Sequence, residues 1–203
     1  MLSTALSKTP QHVVGRGLTL SIVAAFLTPQ IMPASAGADE ASSRVRSTNP
    51  VILDLLKEAR DRSATFRTLV EAIDHSNGIV YVEFGYCAFG HLDGCLLPII
   101  ASTHGDRYVR VIVSPEKSRL NHDQLLALIG HELRHALEVL EHPEVVDVPT
   151  MENMYRSIGT PIAGQRGFET SAARSSGTAV LTELLRNTRA PQYLEAAARP
   201  FGD

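Results

Sequence analysis

Tryptophan is absent from the 203-residue chain and aromatic residues make up only 5% of it, so the core has to be built mainly from Leu, Ile, Val and Ala. Cysteine is scarce as well: Cys87 and Cys95 are the two present, too few for a disulfide-built miniprotein. Nor is positive charge in excess. Nineteen Lys and Arg stand against twenty-two Asp and Glu, a formal net charge of -3, which argues against a phosphate-tracking surface and a nucleic-acid partner. There is no pair of long apolar runs to make a polytopic membrane protein. A nucleotide-binding glycine loop, a nucleophile elbow and a Cys–His nucleophile arrangement are missing too. What remains is a composition 44% hydrophobic and 20% charged, that of an ordinary globular domain.

The N-terminus reads as an address. Residues 1–17 carry Lys8 and Arg16 and no acid, residues 18–27 (LTLSIVAAFL) are almost wholly apolar, and Ala34-Ser35-Ala36 follows. A basic start, an apolar run of about ten residues and an A-x-A end match a secretory signal peptide cleaved after Ala36. The protein is therefore expected to be exported, to the periplasm or beyond. A spanning helix needs about twenty apolar residues, and Pro29 and Pro33 interrupt this run, so no membrane span is expected after cleavage. Residues 37–49 are polar and read as a flexible tail, leaving residues 50–203 as a single domain.

Within that domain, Asn49-Pro50 opens a helical pattern in which Ile52, Leu55, Leu56 and Ala59 recur at helical spacing. Phe66, Leu69, Val70 and Ile73 repeat it after Ser63. Residues 79–84 (IVYVEF), 96–101 and 107–113 (RYVRVIV) read as strands, joined by links short enough to suggest an antiparallel meander. Pro98 places the middle one at an edge or a bulge. From Asn121 the period returns to 3.6, with Gln124 placed for a capping box and Leu125, Leu128, Ile129, Leu133, Ala136, Leu137 and Leu140 along the helix. Residues 143–167 suggest a loop region around a short helix at 151–158. A last long helix is expected over 170–187, with a short one over 191–198. The fold class expected is α+β, a small antiparallel sheet packed on the central helix and flanked by others.

The chemistry is concentrated in that central helix. His131-Glu132-Leu133-Arg134-His135 is an H-E-x-x-H. Residues four apart on a helix share a face about 6 Å apart along the axis, so both imidazoles can reach one ion with Zn–N bonds of about 2.0–2.1 Å. Glu132 is turned about 100° from His131, beside the ion and not on it, where a carboxylate can act as general base toward metal-activated water. The plain alternative is two surface histidines one turn apart with no metal.

In this helix the sequence resembles the zincin metallopeptidases, and Gly130 to Glu138 is similar to a stretch found in small exported bacterial proteins with a GHELxHALE helix. Arg134 departs from the uncharged residues that zincins favour around the motif. The metzincin arrangement would require Gly at the position of Glu138 and His at that of Glu141, and the chain has neither. The resemblance is to the gluzincin branch, in which a carboxylate from a downstream helix is the third ligand. It implies Glu169, at the expected head of the last helix, with Asp147 and Glu152 as less favoured choices. It also implies a zinc ion held by His131, His135 and Glu169, with Glu132 as catalytic base. Glu138 and Thr170 are candidates for supporting the ligands, and Tyr155, then Arg156, for stabilising an oxyanion. The implied activity is hydrolysis of a peptide or protein substrate lying along a sheet edge. An exported metal-binding or interaction domain that keeps the fold without hydrolysis is the alternative.

Cys87 and Cys95 bracket a short loop between two expected strands. In an oxidising compartment such a pair most simply forms a disulfide. A second metal site using Cys87, His91 and Cys95 is the sharper but less favoured option, for want of a fourth ligand. His75, His104 and His122 are expected at solvated turns or helix ends. Nothing in the sequence fixes the oligomeric state.

Overall fold

The computed structural model describes residues 43–87, 92–114, 120–164 and 167–197, with side chains up to residue 187. All belong to the unit Ala36–Asp203. The expected signal peptide, residues 1–36, lies outside them, as do His91 and the first part of the expected tail.

Two helices come first. Helix α1 (Pro50–Arg62) begins where the Asn49 side chain accepts the Val51 N–H and Pro50 occupies the first turn, where its missing donor costs nothing. Helix α2 (Ala64–Asp74) begins one residue after α1 ends, because Ser63 accepts the Phe66 N–H as its N-cap. Their buried stripes are those read from the periodicity: Ile52, Leu55, Leu56 and Ala59, then Phe66, Leu69, Val70 and Ile73.

The sheet departs from the expected meander. Its strands are β1 (Val45–Arg46), β2 (Gly78–Phe84), β3 (Gly94–Leu96), β4 (Ala101–Thr103) and β5 (Asp106–Val113). Strand β2 pairs with β5 in parallel over its whole length, Gly78 opposite Arg107 to Phe84 opposite Val113. β3 and β4 run antiparallel to β5 on its other side. The sheet is therefore mixed, in the order β1-β2-β5-β3 with β4 also on β5. The physical reason lies in the expected middle strand. It is broken into β3 and β4 around Pro98, which cannot donate to a ladder, and it turns back into β5 through a tight turn at His104, φ 51, and Gly105, φ 88. That hairpin inserts β5 between β2 and the broken strand, so β2 and β5 point the same way.

The expected tail is corrected in its second half. Strand β1 adds to β2 in parallel, Val45 is buried, and Asp74 accepts from both the Ser43 hydroxyl and the Arg44 backbone N–H. One apolar residue among polar neighbours gave no periodic signal, yet it completes the sheet edge.

Helix α3 (His122–Glu141) carries the capping box of Asn121 and Gln124. Its Leu126, Ile129, Leu133, Ala136, Leu137 and Leu140 form one hydrophobic core with Val80, Val82, Val109, Val111 and Val113 of the sheet. In the parallel register Val80 faces Val109 and Val82 faces Val111, so one valine face receives the helix. Each such side chain, fully buried, contributes about 1.5–3 kcal/mol. At the far end of α3 the buried guanidinium of Arg107, from β5, donates to the carbonyls of Val139, Leu140 and Val145. It satisfies carbonyls that a helix C-terminus leaves open and sets a cation at the negative end of the dipole.

Helix α4 (Val148–Ile158) starts at a capping box of Asp147 and Thr150. A two-stranded antiparallel ribbon follows, β6 (Gly159–Pro161) with β7 (Phe168–Thr170), the first within what read as loop and the second where the head of the last helix was expected. Helix α5 (Ser171–Ala197) is a single element through the region where a second short helix was expected. It lies against α3, where Val180 and Leu184 join the core. No described helix is long and apolar enough to cross a membrane.

Candidate metal centre

Helix α3 turns His131, Glu132 and His135 towards a cleft bounded by the sheet edge, α4 and the β6–β7 ribbon. Glu169 enters from β7, two residues before α5. It stands on the strand and not, as expected, at the head of the helix, because the Thr170 hydroxyl caps α5 by accepting from the Ala173 N–H. One ligand atom from each of His131, His135 and Glu169 lies within 4.8 Å of the others. The Nε2 of His131 is 3.5 Å from Glu169 Oε2, and the Nε2 of His135 is 3.7 Å from Glu169 Oε1. These are near the ligand-to-ligand spacing, about 3.3 Å, of a tetrahedral ion with bonds of about 2.0–2.1 Å.

The opposite edge of the His135 imidazole is fastened, its Nδ1 lying 2.9 Å from Glu138 Oε2. With Nδ1 donating, the neutral ring offers Nε2 as an acceptor only. That nitrogen, the Nε2 of His131 and the Glu169 carboxylate converge, and Glu169 Oε1 is buried with no hydrogen-bond partner. Three acceptors around one point fit a divalent cation. The cluster could hold one.

Glu138 does more than orient one ring. It is almost fully buried, and its Oε1 accepts from the Thr170 hydroxyl at 2.7 Å while Oε2 meets His135. One carboxylate thus ties the second histidine of α3 to the residue next to Glu169 on β7. Burial pushes its pKa up, but the hydrogen bonds from His135 and Thr170 outweigh this and hold it below the usual carboxylate range. The same bond raises His135 against its own burial, whereas burial and the neighbouring His135 lower His131.

Glu132 is 4% exposed, and burial pushes its carboxyl up to about 7. Strand β3 covers it: a Cβ on Gly94 would come 2.8 Å from Glu132 Oε1 and 2.9 Å from Leu128. Gly177 plays the matching part on α5, where a Cβ would come 3.1 Å from the Cβ of His131. These two glycines let the sheet edge and α5 close on the motif, and the motif-centred reading missed both. A lone glycine inside a helix of good formers such as α5 was the available signal.

Tyr155 lines the cleft, its ring edge-on to His135 and stacked on Phe168, but its hydroxyl donates to the His135 carbonyl at 3.1 Å. Burial holds that hydroxyl's pKa well above the ordinary value. Glu152 lines the cleft mouth and pairs with Arg156 on the exposed face of α4. Asp147 is spent as the α4 cap, and Arg134 pairs with Glu141. Cys87 and Cys95 form a disulfide in the cleft wall. His75, His104 and His122 are exposed, at a helix cap, in the β4–β5 turn and at the start of α3.

No family matches the chain, and comparison with curated proteins and with solved structures gave no match either.

Proposed function

We propose that the protein is an exported zinc-dependent hydrolase, most simply a peptidase, of the zincin type. The observation that carries this reading is the convergence of His131, His135 and Glu169 with the adjoining Glu132 buried beneath β3. When bound, the ion supplies Lewis acidity, polarising a carbonyl and acidifying water. Glu132 takes a proton from water as its oxygen bonds to the substrate carbonyl carbon. It then returns the proton to the amine nitrogen as the C–N bond breaks. Burial pushes that carboxyl up in the metal-free protein; a divalent cation beside it would favour the ionised form that a general base needs. Glu138 keeps His135 in the ligating tautomer through Nδ1. Export rests on the sequence of residues 1–36 and is part of the proposal.

The test is the Glu132→Ala protein with zinc content measured beside peptide hydrolysis. Hydrolysis should fall by about 10²-fold or more while one zinc per chain is retained. Undiminished hydrolysis would end the enzymatic assignment. A second reading, a metal-binding or interaction domain without hydrolysis, draws support from Tyr155, whose hydroxyl is committed to the His135 carbonyl and not to an oxyanion. Zinc binding by a wild-type protein that cleaves no peptide would favour it.

A further inference from the structure

Glu132 owes part of its enclosure to one short strand. Strand β3 stands at the end of its sheet and, among the described strands, pairs with β5 alone, through Gly94, Cys95 and Leu96. Its Gly94 lies so close over the motif helix that a Cβ there would come 2.8 Å from Glu132 Oε1 and 2.9 Å from Leu128. Three residues laddered on one side are a weak hold, because segments with few partners open locally at far less cost than the fold as a whole. The residue after Gly94 supplies a second hold. Cys95 is bridged to Cys87, three residues beyond the end of β2, where the Gly85 N–H donates to the Val113 carbonyl at the end of β5. The bridge thus ties β3, across the end of β5, to the strand that pairs with β5 over its whole length. It spans a sequence separation of only 8, and short loops gain less global stability from closure than long ones, so its effect falls on β3.

We propose that Cys87 and Cys95 are positioning residues: their bridge holds β3 down on α3 and so keeps the Glu132 carboxyl enclosed beside His131, His135 and Glu169. The consequence for hydrolysis rests on reading Glu132 as the proton carrier, whereas the tie itself does not. Both cysteines line the cleft wall, and they act on Glu132 through the backbone of Gly94.

Carbodiimide-driven labelling of carboxyl groups with glycine ethyl ester, located by peptide mass spectrometry, tests this on the zinc-loaded wild type and on the Cys87→Ser/Cys95→Ser double variant. Glu138 is the internal control. It lies six residues along the same helix, is 1% exposed, and is held by His135 and Thr170. General loosening exposes both carboxyls, whereas loss of the tie exposes Glu132 alone. Labelling of Glu132 should rise about tenfold or more in the double variant with Glu138 unchanged. Peptide hydrolysis should fall about tenfold or more with zinc content kept. Should the double variant not fold, wild type reduced in place with a phosphine gives the same comparison. Glu132 as protected without the bridge as with it, or both carboxyls exposed together in folded protein, would overturn the proposal. Selective exposure of Glu132 in a protein whose wild type cleaves no peptide would leave the tie standing and sink the hydrolase reading instead.

Discussion

Glu132 and Glu138 stand six residues apart on one helix, both nearly free of solvent, yet their surroundings push them in opposite directions. Glu138 has His135 and Thr170 as hydrogen-bond partners and is held ionised. Glu132 is dominated by burial and rises to about 7. An acid whose pKa is raised on folding binds its proton more tightly in the native state. In metal-free protein its contribution is therefore complete below about pH 4.5, the unfolded value, and is lost as pH climbs through about 7. Chemical denaturation of chelator-treated protein should show stability falling across that window, with about 1–3 kcal/mol of the fall removed by Glu132→Gln. An unchanged pH slope in the variant would mean that the carboxyl is not buried as described. For Glu138 the exchange to Gln keeps the shape but removes the charge facing His135 Nδ1. Zinc affinity measured with a competing chelator should drop about 10–100-fold, and an unaltered affinity would contradict its positioning role.

At the scale of elements, the cleft depends on how α3 is held at its far end. Arg107 reaches from β5 into the C-terminal carbonyls of α3 and the loop leading to α4, so one side chain fixes the sheet, the motif helix and the cleft wall together. Arg107→Met fills the same space but takes the guanidinium donor from the Leu140 and Val145 carbonyls, at an expected cost of about 2–4 kcal/mol. A melting temperature equal to that of the wild type would refute the clamp. The elements also show what can be read from residues alone. Asn49, Ser63, Asn121 and Gln124 act within a few residues of themselves, so the starts of α1, α2 and α3 were legible from local chemistry. The direction of β2 against β5 was not, because it is decided by the hairpin at His104 and Gly105 inserting β5 beside β2. Strand β1 escaped notice for a similar reason: Val45 is one apolar residue whose partner, Val80, is distant in the chain. In the centre itself, His131, Glu132 and His135 declare themselves by spacing, and Glu169 could be named only through the family resemblance. Its seat on β7, and the link from Glu138 to Thr170, depend on tertiary packing that no spacing encodes.

On the scale of the whole molecule, helices cover the valine face of a small mixed sheet, and the edge of that sheet, α4 and the β6–β7 ribbon enclose the cleft. The disulfide between Cys87 and Cys95 lies in that wall, as befits the oxidising compartment proposed for the protein. With its candidate ligands drawn from α3 and from β7, the proposed metal binding would be a property of the assembled fold, since neither segment alone brings the three atoms together. The most direct measurement is zinc-edge X-ray absorption, with metal analysis, on protein stripped by chelator and reloaded with one equivalent of zinc. One tightly held zinc per chain is expected, with two imidazole nitrogens and a carboxylate oxygen at about 2.0–2.2 Å, retained in Glu132→Gln and lost in His131→Ala. Protein that takes up no zinc, or a zinc whose shell lacks the paired imidazoles, would contradict it.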